Sequence, residues 1–334
     1  MTPLRLRPKT HAAGVFAIAV ALVLTGCSSK KTTPATASSS PAGASSTAAA
    51  STPAAASAST PATSSSSAAA SSAGAADPAS LVPAAIKSAG TITMATDASY
   101  APNEYFDTDG KTIIGLDVDL GNAIAAKLGL KANFQNVTFD AIIPALAANK
   151  YNIGMSSFTD TKKREATVDF VTYFSAGENL FVPAGNPKNV TGPDLSVCGL
   201  TIAVEKGTTE ESEIPALSKA CTDGGKPAVT ALSTDDQNAA NLALTSGRAQ
   251  VGSADSPIAD YAVKQSNGAL ALAGKSYEVA PYGIAIPKTA GTLKEAIQAA
   301  LAAIIADGSY KTILDKWGAT DGAISAPAIN GATS

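Results

Sequence analysis

Across residues 81–325, short apolar runs alternate with amphipathic stretches, and the apolar period switches between two and about 3.6. Thr91-Ile92-Thr93-Met94-Ala95 predicts a strand that ends at Thr96-Asp97, followed by the polar turn Tyr100-Ala101-Pro102-Asn103-Glu104. Residues 117–127 predict a helix. Leu120, Ile124 and Leu128 stand four apart on one face, and Gly129 stops it. A short strand is expected at 134–137 and a helix at 139–149, despite Pro144. A strand at 151–156 then leads into Met155-Ser156-Ser157-Phe158-Thr159-Asp160-Thr161-Lys162-Lys163-Arg164. The chain next runs extended from Asp169-Phe170-Val171 through Leu180-Phe181-Val182 to Gly185-Asn186-Pro187.

There the pattern restarts. Leu200-Thr201-Ile202-Ala203-Val204 predicts a strand that stops at Lys206-Gly207-Thr208-Thr209, and Thr208 with Glu211 reads as a capping box. Thr234 with Gln237 repeats that signal before a helix ending at Gly247. Residues 250–254 form a strand that delivers Asp255, and 282–286 another. A long helix covers 293–306, Asp307-Gly308 interrupts it, and a last helix covers 309–317. Strands and helices in alternation predict an α/β architecture.

The first 80 residues lack this pattern. Arg5, Arg7 and Lys9 precede an apolar run at 12–24, which reads as a secretory leader too short to span a bilayer comfortably. Leu24-Thr25-Gly26-Cys27 resembles a bacterial lipobox, which implies cleavage after residue 26 and acyl chains on Cys27. The protein is then expected to be lipid-anchored on the extracytoplasmic face of the cell membrane. Residues 27–80 are Ala, Ser, Thr and Pro with almost no large apolar side chain, too little to offset ordering entropy. They read as a disordered tether averaging roughly 40 Å end to end.

Charge and rare residues narrow the chemistry. The net charge of −3 becomes about −6 once the leader's three cations are gone, and does not suit nucleic acid. The one histidine, His11, lies in the leader, so Ser-His-Asp and Cys-His catalysis and histidine metal sites are excluded from the mature chain. Cys198 and Cys221 are a disulfide candidate in an exported protein, the alternative being two buried thiols.

Only four arginines occur, two of them in the leader. Arg164 follows two serines and two threonines, and a guanidinium can grip a carboxylate with two parallel hydrogen bonds. Asp97, Gly207 with Thr209, and Asp255 all fall at strand ends, where open α/β sheets bind ligands. With Ser157 and Thr159 the set suits a free amino acid. Arg164 takes the carboxylate, Asp255 the ammonium, and Tyr100 or Phe139 supplies an apolar wall. The plain alternatives are that Asp97, Asp255, Thr208 and Thr209 cap helices or turns and that Lys162-Lys163-Arg164 is a solvated face.

At these residues the sequence resembles bacterial solute-binding family 3, the polar amino acid ABC-transporter substrate-binding proteins. The resemblance rests on Gly115-Leu116-Asp117-Val118-Asp119-Leu120, Met155 to Arg164 with Val168-Asp169-Phe170 behind it, Lys206-Gly207-Thr208-Thr209-Glu210, and Asp307-Gly308-Ser309-Tyr310 with Lys316-Trp317-Gly318. It implies a two-lobe periplasmic-binding-protein fold with two hinge strands, lobe 1 at about 90–184 and 277–320 and lobe 2 at about 185–276, closing on the ligand. Residues 326–334 would be a tail. It also implies that Arg164 binds the carboxylate with help from Thr159 and Thr209. Asp255 and the Ser157 region would hold the ammonium, Tyr100 would stack, and Asp97 and Glu104 would lie near the distal end. Asn103 and Asn152 depart from the family pattern. The expected ligand is a polar or neutral amino acid, handed by a monomeric, cofactor-free lipoprotein to a membrane permease. A dehydratase on the same scaffold and a ligand-sensing lipoprotein are the alternatives.

Overall fold

Two strands of unusual length organise the chain. The computed structural model describes residues 77–333; the leader, Cys27 and the tether as far as residue 76 lie outside the described residues. In chain order the elements are α1 Ala84–Ala89, β1 Thr91–Thr96, β2 Ser99–Tyr100, β3 Glu104–Phe106, β4 Ile113–Ile114, α2 Leu116–Lys127, β5 Lys131–Asn136, α3 Phe139–Ala147 and β6 Ile153–Gly154. Then come α4 Lys162–Glu165, β7 Val168–Pro183, β8 Thr201–Glu205, α5 Thr209–Asp223, β9 Thr230–Thr234, α6 Gln237–Thr245, β10 Val251–Asp255, α7 Ser256–Gln265, β11 Leu270–Pro287, α8 Leu293–Ala306 and α9 Ser309–Trp317.

The large sheet runs β5-β1-β6-β11-β7-β10-β8-β9. β1, β5 and β6 are parallel on one side, and β8, β9 and β10 are parallel on the other. β7 and β11, 16 and 18 residues long, pair antiparallel between them and belong to both halves. Their pairing slips in register at Ala273/Tyr277, Tyr277/Ala280 and Tyr282/Gly283. Such irregularities bend a strand where it passes from one body to the next. These are the two hinge strands, and the fold is the two-lobe type expected from the resemblance.

Each lobe has its own core. In lobe 1, Leu120 and Ile124 of α2 and Ile297, Leu301 and Ile304 of α8 pack on Ile92 and Met94. On the opposite face Phe139, Ile142 and Leu146 of α3 meet Phe158 and Phe170. In lobe 2, Ile202, Val204 and Val251 pack with Ile214 and Cys221 of α5.

Several boundaries differ from the sequence expectation. The 151–156 strand shrinks to β6, and β11 begins twelve residues before Tyr282. The Thr234/Gln237 box is absent. Asp236 caps α6 by accepting from Ala239 N, while the Thr234 hydroxyl donates to Val204 O and Asp236 O. Thr208 does cap α5, accepting from Glu211 N at 3.1 Å, but Glu211 reaches back one residue further, to Gly207 N. Asp77 accepts from Ala79 N and residues 78–81 form a 3-10 turn, so residues 77–80, placed in the expected tether, are structured. The expected tail packs on β7, as described below. Among the described helices none is long and apolar enough to cross a membrane.

Cys198 and Cys221 are bridged, with Cα atoms 5.5 Å apart, and tie the segment before β8 to the end of α5. Closing a loop of 23 residues is worth about 3 kcal/mol in the chain-entropy model. Replacing both cysteines by serine is therefore expected to lower the melting temperature by roughly 6–12 °C. Equal melting of the two chains under oxidising conditions would show that the bridge contributes nothing.

Candidate functional site

The lobes meet along one seam, and most of the residues singled out above line it. Arg164 sits in α4, a single turn capped by the Thr161 hydroxyl, which accepts from Arg164 N. Its guanidinium donates to Thr159 O at 2.8 Å within lobe 1 and to Gly207 O at 2.9 Å across the seam. It lies over the rings of Phe139 and Phe158, 5.3 and 5.5 Å from their centroids. Burial pulls its pKa down, and Glu210 and Asp255 oppose that shift. A guanidinium has five N–H donors. Two bonds to carbonyls orient the plane and leave others for a carboxylate. Gly207 has φ +81°, and a Cβ there would stand 3.0 Å from the Asp140 Cβ of the other lobe. A side chain at 207 would crowd Asp140 across the seam.

Three further contacts cross the seam. The Tyr100 hydroxyl donates to Asp255 Oδ2 at 3.3 Å, Gln237 N donates to the Ser99 hydroxyl at 3.1 Å, and the Thr159 and Thr209 hydroxyls are 3.5 Å apart. Asp255 precedes α7 but makes no capping bond. Its carboxyl is pushed well above the usual range by burial and by Glu210. The Tyr100 and Phe139 rings are nearly parallel, 7° apart, with centroids separated by 6.5 Å.

Asp97 caps, as the plain alternative for it had it. Oδ2 accepts from Phe139 N at the start of α3, Oδ1 accepts from Ser99 N, and the side chain still meets lobe 2. It meets Glu205, the last residue of β8, which is 1% exposed. Neither Glu205 oxygen has a well-formed hydrogen bond, yet the two carboxyls are close enough to influence each other directly. Burial and Asp97 push Glu205 up to about 10, so it is neutral at pH 7. Glu210 and Glu178 are also buried, each with one unpartnered oxygen. Burial raises both, Glu178 to about 11.

Ser157 and Glu104 sit elsewhere. The Ser157 hydroxyl donates to Glu104 Oε2 and accepts from Asn103 Nδ2, and the Ser156 hydroxyl donates to Glu104 Oε1. Ser157 N and the Tyr173 hydroxyl both donate to Asp117 Oδ2. Burial lifts Asp117 to about 6, and Asp117 together with burial lifts Glu104. This network fastens the Ser156-Ser157 turn, α2 and hinge strand β7 together. It supports the site from behind, and the Ser157 hydroxyl is already committed to Glu104.

Sequence reasoning missed Glu205, Glu210 and Glu178. Glu205 and Glu210 flank the Lys206-Gly207-Thr208-Thr209 turn, where acids ordinarily read as solvated. The available signal was Glu205 itself, a carboxylate ending an apolar strand that is buried on both faces.

A family model described as bacterial extracellular solute-binding proteins, family 3, matches residues 92–320, more than half of the chain. The chain belongs to this family. It is 34% identical over 252 residues to the arginine-binding protein ArgT of Corynebacterium glutamicum, covering 75% of this chain and 82% of that one. Among solved structures it resembles an ancestral arginine-binding protein bound to arginine, at 34% identity and TM-score 0.63, covering 68% of this chain and 98% of the other. It also resembles an ancestral amino acid-binding protein that is a precursor of cyclohexadienyl dehydratase, at 30% identity and TM-score 0.63, over 70% and 97% of the two chains. Family 3 proteins are extracellular solute binders, and this chain is one of them.

Proposed function

We propose that this protein captures a free cationic amino acid, L-arginine foremost, and hands it to an ABC-transporter permease while held at the membrane through Cys27. One observation carries the reading. The buried Arg164 guanidinium faces a seam lined by the buried carboxyls of Asp97, Glu205, Glu210 and Asp255. A buried acid without a partner costs several kcal/mol, and here burial raises all four carboxyls, Glu205 far enough to keep its proton at pH 7. A ligand with one carboxylate and two cationic groups supplies the missing partners. Arg164 would take the carboxylate, Asp255 the ammonium, and Asp97 with Glu205 the distal guanidinium, which the parallel Tyr100 and Phe139 faces suit. The acidic seam thus favours a cationic ligand over the neutral or polar one expected from the sequence. The relatives above support it by name. The dehydratase alternative is not favoured, because those relatives are named for binding and no observation at the seam points to a reaction.

The test is a thermal-shift screen of the chain from Ser28 onward, freed of co-purified ligand, against the twenty amino acids and citrulline. A ligand that binds only the folded state raises the melting temperature by mass action. L-Arginine is expected to give the largest rise, and citrulline, its neutral counterpart, little. Citrulline or glutamine stabilising as strongly as arginine would overturn the cationic assignment.

A further inference from the structure

The last described residues lie beyond the family match and do not hang free. In lobe 2 the edge of β7 away from β11 is covered by β10. In lobe 1 the same edge is covered by residues 328–330. Thr172 N donates to Ala328 O at 2.8 Å and Asn330 N to Phe170 O at 3.0 Å, with Ile329 bridging to Val171. Side chains lock the register from both directions. Ala328 N donates to the Thr172 hydroxyl, Phe170 N donates to Asn330 Oδ1, and Asn330 Nδ2 donates to Asp169 Oδ1. Ile324 and Ile329 pack against the lobe 1 core, and a Cβ on Gly331 would meet Thr172 Cγ2 at 2.7 Å.

Beyond β7 the segment reaches the turn that carries Arg164. Gly331 N donates to Asp160 Oδ2 at 2.8 Å, and Ala332 N donates to Glu165 Oε1 at 3.2 Å. Asp160 is 1% exposed, and its own N–H donates to Pro281 O on β11. Asp160 precedes α4, which is four residues long, and Glu165 is its last residue. A single helical turn has almost no stability of its own, because nucleation cost exceeds the bonds it forms. Its orientation must come from what grips its ends. One grip is Thr159 and Asp160 on β11; the other is the strap, which holds Asp160 and Glu165 at either end of the turn.

We propose that residues 324–333 form a strap that positions Arg164 for a ligand carboxylate, acting through Asp160 and Glu165. The proposal rests on the reading of Arg164 as the carboxylate ligand. Hinge strand, strap and arginine turn form one connected unit, so the strap fixes the guanidinium in lobe 1 before lobe 2 arrives with Gly207. Holding a binding group to within about 0.5 Å is what separates a tight site from a loose one.

The test compares the chain from Ser28 onward with the same chain ending at Ala323. Calorimetry gives the affinities of both for L-arginine and for agmatine, which lacks the carboxylate. Losing the strap is expected to weaken arginine about tenfold and to leave agmatine within about twofold. Equal losses for the two ligands, or no loss, overturn the proposal. Should the shortened chain fail to fold, Asp160→Ala in the full chain is read the same way. It is expected to show the selective loss, and Asp160→Asn to restore binding, since its amide oxygen can still accept from Gly331 N. Wild-type behaviour of Asp160→Ala overturns the proposal equally. An intact chain that binds arginine no better than agmatine brings down the carboxylate reading itself, and the strap's role with it. An intact chain that prefers arginine, and keeps the preference without the strap, brings down only the strap.

Discussion

Arg164→Ala is expected to weaken L-arginine binding about a hundredfold or more. The lost contact is a charge-assisted, two-bond grip on a carboxylate, and its loss leaves that carboxylate buried without a partner. Together these are worth at least about 3 kcal/mol. The guanidinium plane is already set by its bonds to Thr159 O and Gly207 O and by the Phe139 and Phe158 faces, so little ordering remains to be done on binding. Arg164→Lys is expected to fall nearly as far. Three donors on a point charge cannot reach two carbonyls and also present a parallel pair to the ligand. Because one of the carbonyls belongs to Gly207, the alanine variant also loses a tie between the lobes. Binding measured by calorimetry decides the matter: an affinity change under about threefold would sink the carboxylate assignment.

Glu205→Gln is expected to remove most of the discrimination between arginine and citrulline, and to flatten the pH dependence of arginine binding. With the lobes together as described, burial and Asp97 push Glu205 up to about 10, so it carries a proton at pH 7. A guanidinium placed between Asp97 and Glu205 favours the charged carboxylate and drives that proton off. Binding that releases a proton tightens as pH rises, by up to about tenfold per unit, between the pKa of the bound form and that of the free form. The same shift has a signature without ligand. Glu205 has a higher pKa folded than unfolded, so the folded state holds more protons. Its effect is to reduce stability as pH climbs from the ordinary glutamate range toward 10, and the glutamine variant should be more stable than the parent near pH 8. Two measurements check this. One is arginine affinity at pH 6, 7 and 8; the other is the binding enthalpy in buffers of different ionisation heat, which counts the proton. A pH-independent affinity with no proton released, together with an unchanged citrulline ratio, would remove Glu205 from the ligand's reach.

The two acid groups have different origins. Asp97 is needed by lobe 1 alone, since it caps α3 and tightens its own turn. Glu205 has no such employment: its oxygens lack well-formed bonds, and its burial is completed by the opposite lobe. A carboxylate without a structural duty at the end of a buried strand is the strongest sign of what the cleft is for.

Much of this was legible in the sequence. Local rules, each depending on a few neighbouring residues, determined the strand–helix alternation, the restart after Pro187, the Thr208 cap and the isolation of Arg164. Only the tertiary structure decided the rest. It showed that Asp255 forgoes a cap to accept from Tyr100, and that Ser157 is committed to Glu104. It showed too that Asp236 outcompetes Thr234 as a cap and that residues 328–332 complete an edge of β7. Apart from the Asp236 cap, which is local, each depends on groups more than 50 residues apart in the chain, brought together by the fold. Burial of an acid, and so its charge, is a property of that arrangement, whereas a cap or an apolar stripe is a property of the chain.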